Sequence, residues 1–260
     1  MIFLILLATF LLIHHLFYWK VSDLKKYNLK KPDYIAHRGL KINYPENSTN
    51  AFIDAHKNQY AWIELDVIAS KDGQLFCSHN HDLERETNGR GYLNELSSNS
   101  LKSLNIGIYT NASDLERMPT LEEVFSAIPD AMGINIEIKS HYMFDFSTAR
   151  ALHAFLKKRP VRRAIISSFN PFVLVYFKLF YPRVITGFLF QNLEYFWMTN
   201  VLHPSYIHPR ADLLDNQMIN VAKKHNLGIN VWTVNNKRAI KWCKEKGVDG
   251  IITDLKVNNV

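Results

Sequence analysis

Residues 62–68 read Trp-Ile-Glu-Leu-Asp-Val-Ile. The run is short, apolar and partly β-branched, as a buried strand is, yet it carries two carboxylates two positions apart. Side chains alternate along a strand, so Glu64 and Asp66 share one face. A charged group in an apolar strand is costly unless it is paired or bound to metal. The same departure recurs along the chain. His37, Arg38 and Gly39 follow the apolar run 34–36, and His79 follows a strand-like run over 74–78. Glu137 and Lys139 close the run that begins at Gly133, Trp232 and Asn235 lie at the end of the one that begins at Gly228, and Asp254 follows the last. In a barrel of parallel strands the C-terminal strand ends converge on one mouth, where active sites are built.

The rest of the chain fits that reading. Strands are expected over 34–37, 62–68, 74–78, 133–138, 164–167, 184–190, 228–234 and 250–253. Helices are expected over 47–58, capped by Asn47 or Ser48, over 120–127, over 215–226 and over 236–245. Alternating strands and helices imply a parallel sheet with right-handed crossovers. About eight strands over roughly 225 residues suit a TIM (β/α)8 barrel, an α/β fold. A further run at 206–209 leaves the strand count ambiguous by one. A doubly wound open sheet is the rival, but no glycine-rich phosphate fingerprint follows the first strand.

The strand-end residues define a chemistry. Glu64, Asp66 and Glu137 facing one another would repel, and a hard divalent cation with oxygen ligands relieves that repulsion. His37 and His79 are the acid–base candidates, because imidazole titrates near ~6.5 and one ring can donate while the other accepts. Arg38 offers a forked donor for phosphate oxygens and Lys139 a point charge. Gly39 would let the backbone approach a ligand. Trp232 is either core or an apolar wall beside the substrate. Histidines 14, 15, 56, 141, 153 and 225 read as structural or exposed, and His81 is the alternative to His79.

Composition narrows the class. The chain has 260 residues, 47% hydrophobic and 21% charged, enough for one domain and a short appendage. Its two distant cysteines, Cys77 and Cys243, make neither a disulfide framework nor a zinc site. The formal charge of +7 is spread without a nucleic-acid motif, so no nucleic-acid partner is expected. Residues 1–19 contain no Asp, Glu, Lys or Arg and end in Phe17, Tyr18 and Trp19. They read as an N-terminal transmembrane helix with an interfacial aromatic belt. A cleaved signal peptide fits less well, lacking a basic start and a small-residue cleavage site. Residues 20–33, with Lys20, Lys25, Lys26, Lys30 and Lys31, form a basic linker, and 34–260 the catalytic domain. Lysines on that side place the domain in the cytoplasm of a single-pass membrane protein.

These stretches together resemble one family. IAHRG at 35–39, PENS at 45–48, IELDV at 63–67, SHNHDLERETNGRG at 78–91 and IEIK at 136–139 are similar to the glycerophosphodiester phosphodiesterases. SSFNP at 167–171, VWTVN at 231–235 and GVDGIITD at 247–254 extend the likeness over nearly all of 33–255. The resemblance implies a TIM barrel and a divalent metal, calcium or magnesium, on Glu64, Asp66 and Glu137. It implies catalysis by His37 and His79, phosphate binding by Arg38 and Lys139, support from Glu46, and contact of Trp232 with the glycerol side. The expected reaction turns a glycerophosphodiester into glycerol 3-phosphate and an alcohol. The nucleophile is water or the substrate's own 2-hydroxyl, and which histidine is acid and which base stays open. One departure stands out: the family often has Asp after the second histidine, and this chain has Asn80. A lysophospholipase D acting on membrane lysophospholipids is the alternative, with the apolar stretch 188–206 as a lip for an acyl chain. A non-catalytic, tethered phosphate-binding protein would require the loss of an essential group, and none is missing.

Overall fold

The computed structural model describes residues 1–22, 27, 32–109, 116–159 and 163–256. Lys25, Lys26, Lys30 and Lys31 of the expected basic linker lie outside the described residues.

Helix α1 (Ile2–Phe17) leads to β1 (Asp33–Ala36), α2 (Thr49–Lys57), β2 (Trp62–Ala69) and β3 (Leu75–Cys77). An excursion follows with α3 (Ser98–Leu101), β4 (Asn105–Ile106) and β5 (Glu116–Arg117). Strands and helices then alternate: α4 (Leu121–Ala127), β6 (Gly133–Ile138), α5 (Ser147–Lys158), β7 (Ala164–Ser168), α6 (Pro171–Phe180) and β8 (Ile185–Phe190). The chain closes with α7 (Thr199–Leu202), β9 (Tyr206–Pro209), α8 (Asn216–His225), β10 (Gly228–Val231), α9 (Lys237–Lys246) and β11 (Gly250–Thr253).

The parallel strands run β1-β11-β10-β9-β8-β7-β6-β2, and β1 pairs back onto β2, closing a barrel. The ambiguity at 206–209 resolves in favour of a barrel strand, β9. The strand expected over 74–78 is not one: β3 pairs antiparallel with the end of β2. The reason is the connection. Only the turn 70–74, closed by Ser70 N donating to Gln74 O at 2.8 Å, joins the two, and a parallel neighbour needs a crossover of a dozen residues or more. Glu137 therefore lies on the barrel strand next to β2.

Local signals explain the helix starts. Ser48 caps α2, its side chain accepting from Ala51 N, and Thr120 with Glu123 forms a capping box on α4. Asp215 caps α8, and Asn226 ends it in the left-handed conformation. The N-terminal end of the barrel is plugged by Ile35, Trp62, Ile165, Ile185, Tyr206 and Ile252, with Tyr27 packed beneath. The Tyr27 hydroxyl accepts from Ala164 N, and the Tyr206 hydroxyl accepts from Tyr27 N. Gly133 is required here, since a Cβ would lie 2.2 Å from the Trp62 ring.

The transmembrane expectation is corrected. Helix α1 has 16 residues, about 24 Å at 1.5 Å per residue, short of a ~30 Å hydrocarbon core. No described helix is long and apolar enough to cross a membrane. The apolar run is longer than the helix because tertiary contacts take its end. Trp19 stacks between His203 and His225, and its carbonyl accepts from His225 Nδ1 at 2.8 Å. These histidines precede β9 and β10, so α1 leaves the barrel at the end opposite the strand C-termini.

Candidate active site

The turn after β1 sets the site's first wall. Arg38 and Gly39 both adopt positive φ, 55° and 79°. Gly39 is needed because a Cβ would meet the Ala51 backbone and Cβ at 2.8 Å, so the glycine serves packing of the turn on α2 and not ligand approach. The strained Arg38 is held at both ends: its N donates to Glu64 Oε2 at 2.8 Å, and its carbonyl accepts from Asn47 N at 3.0 Å. Asn47, left-handed at φ 57, also braces Asp66. Its amide donates to Oδ2 at 2.9 Å, and its Oδ1 accepts from Asp66 N at 3.1 Å.

Parallel register gathers the acids. Asp66 pairs with Glu137 across β2 and β6, and Glu64 lies two residues back on the same face. One oxygen from each of Glu64, Asp66 and Glu137 lies within 4.8 Å of the others, and all three residues are buried. Burial and the neighbouring Asp66 and Glu137 hold the Glu64 carboxyl well above its ordinary range. Burial also raises Glu137, though Lys139 opposes it. Asp66 falls below its range because Lys139, at 3.0 Å, and Arg38 outweigh its burial. The protein's own cations therefore do not neutralise all three acids. An oxygen-only set of buried, mutually repelling carboxylates fits a hard divalent cation.

The two expected catalytic histidines meet at one cleft of about 330 Å³, lined by His37, Arg38, His79, Glu137, Lys139, Phe169, Gln191 and Trp232. They are backed differently. His37 Nδ1 lies 2.8 Å from Asp254 Oδ1, and Asp254 is held down at about 2 against its burial by the hydrogen bond and charge of His37, with Lys41 adding to them. His79 Nδ1 lies 3.1 Å from the Asn80 amide oxygen. Burial, then the Lys139 charge, lowers His79 to about 4. His81, the alternative, lies away from this cleft with its ring 4.9 Å from that of His141.

Arg38 is tied to Glu46 at 2.5 Å and to Asp66 at 3.3 Å. Lys139 bridges Asp66 and Glu137. Trp232 is both core and wall: its Nε1 donates to His208 O at 2.7 Å while its ring meets Phe169 edge-on at 5.4 Å on the cleft. The apolar lip expected over 188–206 is only partly exposed. Phe188, Phe190, Leu202 and Tyr206 are core, while Leu193, Tyr195, Trp197 and Val201 face outward. Sequence reasoning missed Asn47, Lys41, Glu86, Phe169 and Gln191. Asn47 carried a signal, since Asn is among the few residues that tolerate a left-handed turn. Phe169 lies within the SSFNP stretch at 167–171, and Gln191 carries only its place after β8.

Fold and site together define a barrel hydrolase whose mouth joins an acidic cation cradle to two imidazoles and two cationic side chains. The glycerophosphoryl diester phosphodiesterase family model matches residues 37–255, and the chain belongs to that family. It is 36% identical over 225 residues to a glycerophosphodiester phosphodiesterase of Caldanaerobacter subterraneus, covering 85% of this chain and 93% of the relative. It is 27% identical over 258 residues to one of Bacillus subtilis, covering 90% and 88%. Among solved structures, an Oleispira antarctica phosphodiesterase in complex with the product sn-glycerol-3-phosphate aligns with TM-score 0.79 and 26% identity, covering 87% and 94%. A Thermotoga maritima glycerophosphodiester phosphodiesterase aligns at 0.70 and 29%, covering 86% and 94%.

Proposed function

We propose that this chain hydrolyses glycerophosphodiesters to glycerol 3-phosphate and an alcohol, with His37 and His79 as the acid–base pair. The observation that carries this is the single cleft shared by both imidazoles, Arg38, Lys139 and the cradle carboxylate Glu137. Glu64, Asp66 and Glu137 would hold the cation, calcium or magnesium. When bound, it would supply positive charge against phosphate oxygens.

The backing groups divide the work. A general base must be unprotonated, and burial with Lys139 keeps His79 so near neutral pH. His79 takes the proton of the nucleophile. Asp254 behind His37 compensates the charge of a protonated ring, so His37 delivers the proton to the departing alkoxide oxygen. Arg38 and Lys139 orient the phosphate, with Glu46 fixing the Arg38 fork. Trp232 and Phe169 wall the glycerol side.

A second reading draws on the rim. Phe144 and Phe172 are exposed, their rings 4.8 Å apart, near the exposed Phe169. Such a surface suits the acyl chain of a lysophospholipid. Helix α1, with no buried residue and no charged side chain, is read as membrane-associated, with the barrel on the cytoplasmic side. Partition of the full chain and of one lacking residues 1–18 between membrane and supernatant tests that placement.

The decisive assay gives the full chain glycerophosphocholine and lysophosphatidylcholine in turn, after EDTA and after return of calcium or magnesium. Metal-restored release of choline from glycerophosphocholine is expected. Activity indifferent to EDTA and to either cation overturns the cradle, and inertness toward lysolipid removes the second reading.

A further inference from the structure

The two histidines are joined behind the cleft by one run of polar side chains. Asp254, behind His37, lies 3.3 Å from Lys41, and Lys41 lies 3.2 Å from Glu46. Glu46 neighbours Glu86, and Glu86 Oε1 accepts from the Asn80 amide at 2.6 Å. Asn80 closes the run at His79. Glu86 has no place in the reaction as described, yet among the described residues it is the group whose chemistry decides how Asn80 is turned.

An Asn amide has a donor end and an acceptor end, and the two exchange when it flips. Oε1 of Glu86 can only accept, so the Asn80 NH2 must face it. The Asn80 oxygen then faces His79, and an oxygen there requires a proton on Nδ1. A neutral ring with Nδ1 protonated has its lone pair on Nε2. The polarity of the first contact thus passes through the amide and fixes the histidine. Burial and the Glu46 charge raise Glu86 to about 7, but the proton it takes is shared with Glu46, which is held low by Arg38 and Lys41 against its burial. The oxygen facing Asn80 remains an acceptor on either side of that titration.

We propose that Glu86, acting through Asn80, is a positioning residue that holds His79 in the tautomer whose Nε2 accepts the nucleophile's proton. The negative charge missing next to His79 is replaced by one a side chain further out. This rests on His79 as the base.

The test is a cycle of four full-length proteins: parent, Glu86→Gln, Asn80→Asp and the double variant, assayed on glycerophosphocholine with metal. In Glu86→Gln the introduced side chain can present a donor, so the Asn80 amide can flip; kcat is expected to fall on the order of 10-fold, with KM within about 2-fold. Asn80→Asp sets two acidic side chains in contact and is also expected to lose activity. In the double variant the introduced glutamine donates to the introduced aspartate, which itself accepts from His79, and activity is expected to return to within about 3-fold of parent. Nitrogen-15 NMR of the His79 ring should show protonated Nδ1 in the parent and a mixture in Glu86→Gln. Losses that multiply without rescue overturn the relay, as does a parent ring protonated at Nε2. His79→Ala separates the two claims. Full activity in that variant removes His79 as base, whereas an inactive variant alongside a cycle without rescue removes Glu86 alone.

Discussion

The two ends of the barrel solve burial in opposite ways. At the floor, Trp62, Tyr206 and Tyr27 fill the lumen, and each tyrosine hydroxyl is matched to a backbone group. At the mouth, three acids, a lysine and an arginine are crowded into mutual contact, and the backbone at Arg38 is held in a disfavoured region. The floor is built from uncharged side chains, and its one loose end is the buried Trp62 Nε1, which has no hydrogen-bond partner among the described residues. The mouth gathers buried carboxylates that its own lysine and arginine do not fully balance.

That contrast can be broken by substitution. The largest effect is expected from His37→Ala or His79→Ala, with kcat for glycerophosphocholine down about 10³-fold and the thermal midpoint within a few degrees of parent. Turnover at parental rate in either variant dissolves the distinction. Trp62→Ala is the mirror experiment: about 3–5 kcal/mol of stability lost in urea titration, with kcat of the folded fraction near parent. Loss of kcat without loss of stability would mean that the floor takes part in the reaction.

Subtler effects follow from the unbalanced charge. Glu64→Gln removes a carboxyl that burial and its neighbours disfavour as an ion. The chelated protein should melt higher than parent, and calcium or magnesium should no longer raise the melting temperature. The smallest effect is a slope. Glu86 is raised to about 7, so the folded state binds a proton more tightly than the unfolded chain. For a raised carboxyl, stability falls as pH climbs from the unfolded value near ~4.3 to about 7, and is constant beyond. Melting of the chelated protein between those limits should show a decline that is shallower in Glu86→Gln. An equal or steeper decline in the variant would place the cause elsewhere.

Much of this is legible in the sequence. Strand ends rich in His, Glu, Asp and Lys after apolar runs pointed to a barrel mouth, because only function justifies such residues there. Strands β2 and β3 and the turn Lys71-Asp72-Gly73 between them are legible in the sequence, but β3 counts there as a barrel step because a short apolar run looks the same in either setting. Helices α5 and α6 are not legible in the sequence. Helix α6, FVLVYFKLF after its proline, is apolar on most sides and lacks a clear period. The Asn80–Glu86 contact had no signal, since an irregular loop brings the two together. The length of α1 was overread because Trp19 is claimed by His203 and His225, partners nearly two hundred residues away.

The exit of the chain beside His203 and His225 has a geometric consequence. A catalyst held by its base opens toward bulk solution, as a cup stands on a table. With α1 held in a membrane as proposed, molecules would arrive from the water, and a lipid lying in that layer would have to climb the whole height of the barrel to be cut. Lysolipids, if taken, would enter as dispersed monomers or micelles, and the aromatic rim would meet them in solution.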